Sequence, residues 1–353
     1  MHKKLSKFKK IVLSTIILSS AFSRFPDAVG MNGAVVSSNK LASQIGIDIL
    51  KKGGNAIDAA IATGFALSVV HPGAGNIGGG GFMVIRFADG KVTTIDFRET
   101  APANAYKDMF LDDSLNIIPG KSWSTSWASG IPGSVAGFGL AHEKYGSMEW
   151  RNLIYPASRL ALKGFKLDIV NFSYLNSPYY KQFLSNDIES AKIFTKENGA
   201  DFDLGEIFIQ QDLGLTLKRI ARNGYREFYE GKTAKMIIDC MSRTEGLITE
   251  EDLKNYYPVE RKPIEFEYRG HKVFSMPPAS SGGITIAGIL NQLENIDLGS
   301  LNYHSAQHIH YVTEAERRVY ADRAEFIGDM DFVSVPIEKL TSDKYALSRW
   351  NTI

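Results

Sequence analysis

The chain has one cysteine in 353 residues, Cys240, which excludes an intrachain disulfide. Outside the cytoplasm such a protein would have to be held together by its core alone. Beyond the N-terminal leader, no stretch is long and apolar enough to span a bilayer, and no repeat or low-complexity tract appears. No G-x-S-x-G elbow occurs, and Cys240 lacks a histidine partner in sequence, so the chain offers no self-contained nucleophile–base pair. Cys240 lies in the apolar helical pattern KMIIDCMS and reads as a core residue. A dominant charge is missing too: 40 Lys and Arg face 39 Asp and Glu. Six of the positives (Lys3, Lys4, Lys7, Lys9, Lys10 and Arg24) precede the first acid, Asp27. Subtracting these six leaves 34 basic against 39 acidic side chains, a net −5, which argues against nucleic acid as a partner.

What is present begins with a legible leader. A lysine-rich start precedes IVLSTIILSSAFS, too short to cross a membrane comfortably, with Ala21 and Ser23 as small residues for cleavage. Residues 1–23 therefore read as a secretory signal peptide, with an uncleaved anchor as the competing reading. The expected location is periplasmic or secreted, free of the membrane after cleavage. The remaining composition, 44% hydrophobic and 22% charged with mean hydropathy −0.13, is that of a globular protein.

SSNKLASQIGIDILKKGG has helical spacing at Leu41, Ile45 and Ile49, serine cap candidates, and Gly53-Gly54 as a stop. In the next segment Asn55 and Asp58 form a capping-box pair, and almost every side chain from Ala59 to Val70 is apolar or small. That helix should be buried on all sides and end at Pro72. FMVIRF and KVTTIDF, joined through Asp89-Gly90, predict a hairpin in a covered sheet; PIEFEY and HKVFSM predict a second, turning at Arg269-Gly270. Mainly helical sequence lies between, including a Thr249/Asp252 capping pair, and two more helices follow at about 284–293 and 304–326. The fold class is α+β, in layers.

Three motifs fail on context. GAGNIG, Gly73 to Gly78, matches a dinucleotide fingerprint, but it runs helix–loop–strand where that fingerprint needs strand–loop–helix. Its glycines serve positive φ or close packing instead. PGKS around Lys121 has Leu115 where a phosphate loop needs glycine. His304 and His308 are one helical turn apart, but no carboxylate or cysteine nearby completes a metal set.

Taken together, GGNAIDAAIATGFALSVVHP, GNIGGGGFMVIR, DFRETAP, SGIPGSVAG, YPVERKPI, MPPASSGG and EAERRVYADR closely resemble the large-subunit half of bacterial γ-glutamyltranspeptidases, from about residue 33 to 346. The resemblance implies an N-terminal-nucleophile hydrolase with an αββα sandwich, made as a precursor that cuts itself into two subunits. It implies that an N-terminal threonine of the small subunit attacks the γ-glutamyl amide of glutathione. The acyl group then passes to water, an amino acid or a peptide, with no cofactor or metal. It also implies that Arg98 holds the substrate α-carboxylate. A guanidinium matches a carboxylate with a two-pronged fork that lysine lacks, each charge-assisted hydrogen bond being worth roughly 1.5–3 kcal/mol. Glu99 would orient Arg98 or meet the substrate ammonium. Ser280 and Ser281 would shape a turn near the site, with Gly282 and Gly283 allowing close backbone approach. On residues alone, Arg98 and Glu99 would read as a surface ion pair.

Relatives continue beyond LTSDKYALSR to the threonine, whereas this sequence stops at SRWNTI. Region 24–353 is thus expected to be an incomplete large-subunit portion, with half the sandwich and the nucleophile absent, and inactive alone. The alternatives are a truncated product or a non-catalytic periplasmic γ-glutamyl-binding protein.

Overall fold

A buried helix needs partners for its backbone ends as well as its side chains, and this requirement organises the first half of the molecule. The computed structural model describes residues 29–196 and 199–353, so the expected leader, 1–23, lies outside the described residues. The folded unit is Ser37–Ile353. Helix α1 (Lys40–Lys51) is capped by Asn39, not by a serine. Asn39 Oδ1 accepts the Leu41 N–H at 2.9 Å while its Nδ2 donates to Val70 O at 3.1 Å. One amide thereby serves two helix ends, accepting at the start of α1 and donating at the end of the next helix.

Helix α2 (Ala56–Val70) carries the anticipated capping box of Asn55 and Asp58, and of its residues from Ala59 onward only Ala60 is exposed. It packs against α1, α3 (Ser134–Tyr145) and α4 (Trp150–Lys163), with the Phe65 ring edge-on to Phe138 and Trp150. Its final carbonyls are taken up by distant side chains: Val69 O by Gln210 Nε2 at 2.7 Å, and Val70 O by Asn39 at 3.1 Å and by Asn171 at 2.9 Å. These bonds satisfy the orphan acceptors of a helix terminus that water cannot reach. Asp58 also accepts from the Ser147 and Met148 amides and the Ser147 hydroxyl. Burial pushes its carboxyl up, but these bonds outweigh it and leave it below the usual carboxylate range.

Helix α5 (Gln211–Asn223) lies along α4. In α6 (Lys232–Arg243) the expected core residue Cys240 is only half-buried, because the face of this helix that is fully covered carries Thr233 and Ala234. Helix α7 (Glu250–Lys254) has the Thr249/Asp252 capping box.

Strands β1 (Phe82–Arg86) and β2 (Val92–Asp96) form the first hairpin, in the register Phe82 to Asp96. A third strand, β3 (Val259–Arg261), pairs antiparallel with β2, placing Val259 opposite Asp96. The cover is one-sided: Ile85 and Ile95 are buried, but Val84 is 46% exposed. The second hairpin, β4 (Ile264–Tyr268) and β5 (His271–Ser275), turns through Arg269 and Gly270 at φ 49° and 78°. Two successive positive φ values suit the right-handed strand twist. Ile264 and Phe266 pack on Ile284 and Ala287 of α8 (Gly282–Leu293), with Leu340 beside them. Helices α9 (Ala306–Phe326) and α10 (Asp343–Trp350) lie against α8. No helix among the described residues is long and apolar enough to cross a membrane.

Candidate functional site

Strand β2 ends in a segment whose backbone is enclosed and whose charged side chains are not. Phe97 exchanges hydrogen bonds with Gly81, at 3.0 and 3.2 Å, so the ladder runs one residue past the strand. Asp96 is buried, and its Oδ1 accepts the Arg98 N–H at 3.1 Å. Its Oδ2 accepts from Arg261 Nε at 2.8 Å. Arg261 then forks onto both oxygens of Asp331, at 2.9 and 2.5 Å. The Arg98 carbonyl accepts from the Tyr256 hydroxyl at 2.8 Å, and Thr100 O accepts the Ile131 N–H at 2.8 Å.

Two glycines make this enclosure possible. A Cβ on Gly133 would stand 1.9 Å from Phe97 O and 2.2 Å from the Tyr256 hydroxyl; one on Gly80 would stand 2.5 Å from Phe97 O and 2.8 Å from Glu99 Oε2. Neither has positive φ, so both are present for close approach. The glycines of GNIGGGG and SGIPGSVAG thus converge on DFRETAP from two sides. The first loop also accepts the amides of Gly133 and Ser134 at Gly79 O, which seats the start of α3 against it.

Against this fixed backbone Arg98 and Glu99 are exposed. Among the described residues neither side chain has a hydrogen bond or ion pair, so the surface-pair reading of Arg98 with Glu99 does not hold. The pair presents an unengaged cation and an unengaged anion side by side.

Ser280 and Ser281 lead into α8, whose first two residues are Gly282 and Gly283. The Ser280 hydroxyl accepts the Gly282 N–H at 3.3 Å, and the Ser281 hydroxyl accepts from Arg323 Nε of α9 at 3.0 Å. Gly283 meets a close approach, its Cβ position lying 2.3 Å from Met276 O, whereas around Gly282 only Ser280 Oγ comes within 4 Å, at 3.4 Å. Ser281 and Gly282 line an open groove of about 610 Å³ between α8 and α9, with Ile286, Ile289, Arg317 and Tyr320. Among the described residues no hydrogen bond or ion pair joins this turn to Arg98 or Glu99. The groups tied to each are nonetheless near neighbours in sequence: Asp331, held by Arg261, follows the helix that carries Arg323. His304 stacks on the Tyr303 ring at 3.8 Å, and among the described residues no group of three or more potential metal ligands occurs.

Residues 42–353 match the family model for gamma-glutamyltranspeptidase. The chain belongs to this family. It is 50% identical over 318 residues to an Escherichia coli glutathione hydrolase proenzyme, and 44% identical over 345 residues to one from a Pseudomonas species. These alignments take in 90% and 96% of this chain but 54% and 59% of the relatives. The chain therefore spans little more than half the length of those curated relatives. Among solved structures, a Helicobacter pylori γ-glutamyltranspeptidase superposes with a TM-score of 0.90 at 44% identity, covering 93% of each chain. A Pseudomonas nitroreducens γ-glutamyltranspeptidase complexed with L-DON gives 0.86 at 38% identity, over 92% of this chain and 95% of that one. The fold is accordingly the α+β architecture of the N-terminal-nucleophile hydrolase type.

In this family member, sequence reasoning picked out Arg98 and Glu99 but missed the groups tied to the Arg98 peptide: Asp96 and Tyr256 directly, Arg261 through Asp96, and Asp331 through Arg261. A usable signal did exist. YPVERKPI, with Tyr256 directly before it, supplies both the phenol and the guanidinium, but only the long-range pairing of β2 with β3 shows what they face.

Proposed function

We propose that this chain contributes the γ-glutamyl-holding part of an enzyme that cleaves the γ-glutamyl amide of glutathione and related compounds. Arg98 receives the substrate α-carboxylate through its planar donor fork, and Glu99 meets the α-ammonium. The observation carrying this reading is the pair of exposed, unpaired opposite charges on a peptide segment fixed from both sides. A zwitterionic amino-acid head presents the complementary pair of charges. Holding the head in place fixes where the γ-carbonyl lies, and such positioning can contribute several kcal/mol to an acyl transfer.

The nucleophile is assigned to the remainder of the precursor, a small subunit led by threonine. Its hydroxyl attacks the γ-carbonyl with its own α-amine as base, and the amine of the donor leaves. Water, an amino acid or a peptide then takes the acyl group from the ester. No cofactor or metal enters this scheme. The hydroxyls of Ser280 and Ser281 accept hydrogen bonds from an amide and a guanidinium, an arrangement that supplies no base to activate them. They shape the turn before α8, and this chain by itself is without activity. Residues 1–23 direct export to the periplasm or beyond.

The test is Arg98→Lys in the chain assembled with its small subunit. The KM for γ-glutamyl donors should rise at least tenfold, because charge remains but the fork is lost, while kcat changes less and the melting temperature stays put. An unchanged KM would sink the assignment.

A further inference from the structure

A binding guanidinium is useful only if the chain beneath it does not move, and the Arg98 peptide is gripped at both of its polar atoms. Asp96 takes the N–H at 3.1 Å and Tyr256 supplies a hydroxyl to the carbonyl at 2.8 Å. We infer that Tyr256 is a positioning residue for Arg98, fixing the peptide from the carbonyl side while Asp96 fixes it from the amide side. The inference rests on the reading of Arg98 as the carboxylate holder and deepens it.

Three features separate this contact from ordinary packing. Tyr256 is 4% exposed and its ring lies parallel to that of Tyr229, centroids 5.7 Å apart and planes 9° apart. Tyr229 is itself committed: its hydroxyl donates to Pro132 O at 2.8 Å and accepts from the Ala136 N–H at 3.1 Å. The two stacked phenols therefore anchor the two segments that face each other across Gly133. Second, Gly133 leaves the space the Tyr256 hydroxyl occupies, since any Cβ there would stand 2.2 Å from it. Third, burial, together with the Tyr229 phenol and the Asp96 and Glu99 carboxylates, pushes the Tyr256 phenol far above its ordinary range. It stays protonated at any working pH and remains a donor.

On the amide side, Asp96 is held by a second charge. Arg261 spans Asp96 and Asp331, with its side chain 11% exposed and that of Asp96 8% exposed. Arg261 therefore answers the buried carboxylate, and Asp96 keeps one oxygen free for the Arg98 amide. Tyr256 and Asp96 bond the Arg98 peptide itself, Arg261 bonds Asp96 and Asp331 bonds Arg261, so each is linked to the site through Arg98.

Tyr256→Phe, which removes one oxygen, is made in the chain assembled with its small subunit, alone and combined with Arg98→Ala. Tyr256→Phe should raise the KM for γ-glutamyl donors about tenfold, the loss of one hydrogen bond, and leave kcat within about twofold. On the Arg98→Ala background it should change KM by less than about twofold, because a residue that acts through Arg98 has nothing left to position. An unchanged KM in the single variant, or an equal rise on the Arg98→Ala background, overturns the inference. Arg98→Ala with an unmoved KM would instead remove the reading of Arg98 itself, so the two failures are distinct. If Tyr256→Phe does not fold, Asp96→Asn asks the same question from the other side. Its single amide oxygen can face Arg98 N–H or Arg261 Nε but not both, and the same dependence on Arg98 is expected.

Discussion

The two segments proposed for the site, Arg98–Glu99 and Ser280–Gly283, are built on opposite plans. In the first, the backbone is tied by the side chains of Asp96, two residues earlier at the end of β2, and of Tyr256, while the Arg98 and Glu99 side chains make no hydrogen bond or ion pair among the described residues. In the second, the backbone simply begins a helix and a side chain, Ser281, is already occupied by Arg323. The contrast separates charged side chains left without a partner among the described residues from side chains that already hold the chain together. On a peptide held this way the backbone beneath Arg98 is ordered before any ligand arrives, and only the side-chain rotamers remain to be fixed on binding.

Three changes would break or sharpen this contrast. The largest effect is expected from Gly133→Ala, which drives a methyl into a fixed carbonyl and a buried ring. It should cost about 3 kcal/mol in chemical denaturation, the upper range for overpacking, and a near-neutral result would show that the Arg98 enclosure is soft. Ser281→Ala should cost below about 1 kcal/mol, since it removes one partly solvated hydrogen bond to a guanidinium. A larger loss would place the second segment in the same rigid class as the first.

The smallest effect concerns Glu260, next to Arg261 on β3. Its carboxylate accepts from Lys144 Nζ, from Thr93 at 2.6 Å and from the Tyr145 hydroxyl. These bonds, that from Lys144 foremost, hold it down at about 2 against an ordinary 4.5. A depressed folded pKa means stability that is present above about pH 4.5 and is lost as pH falls toward 2. Wild type should therefore exceed Glu260→Gln in melting temperature at neutral pH, and the gap should close between pH 4.5 and 2. A gap independent of pH would show that the contact is steric rather than ionic.

Local chemistry was legible in the sequence and long-range closure was not. Both capping boxes, the turn at Arg269-Gly270 and the buried helix α2 follow from neighbours a few positions apart, whose geometry the backbone dictates. The N-cap falls on Asn39 rather than a serine: its capping bond to Leu41 is local, but its second bond, to Val70 O 31 positions away, was not legible. Cys240 was placed in the core because an apolar helical pattern tells which residues share a face, not how deeply neighbouring elements cover that face. Arg98 and Glu99 stood out through the motif that contains them. Tyr256 and Arg261 stood just as plainly in the sequence, yet their partners lie 158 and 165 positions away. Pairing over such distances depends on sheet register, which no local pattern encodes.

Helix α2 carries a consequence for synthesis. Its one partly exposed stripe (Ala56, Ala60, Gly64 and Leu67) carries no polar side chain, and its last turn is completed by an amide, Gln210, that lies 141 positions after Val69. At about 5–20 residues per second the ribosome delivers that amide roughly 7–28 s after the helix has been made. For that interval residues 56–70 form an apolar segment without a home, the kind of stretch that chaperones bind. If residues 1–23 direct export as proposed, the chain must be kept from folding before it crosses the membrane. A helix that cannot settle until the middle of the protein exists would delay folding without any added device, and it would do so from near the front of the chain, where translocation begins.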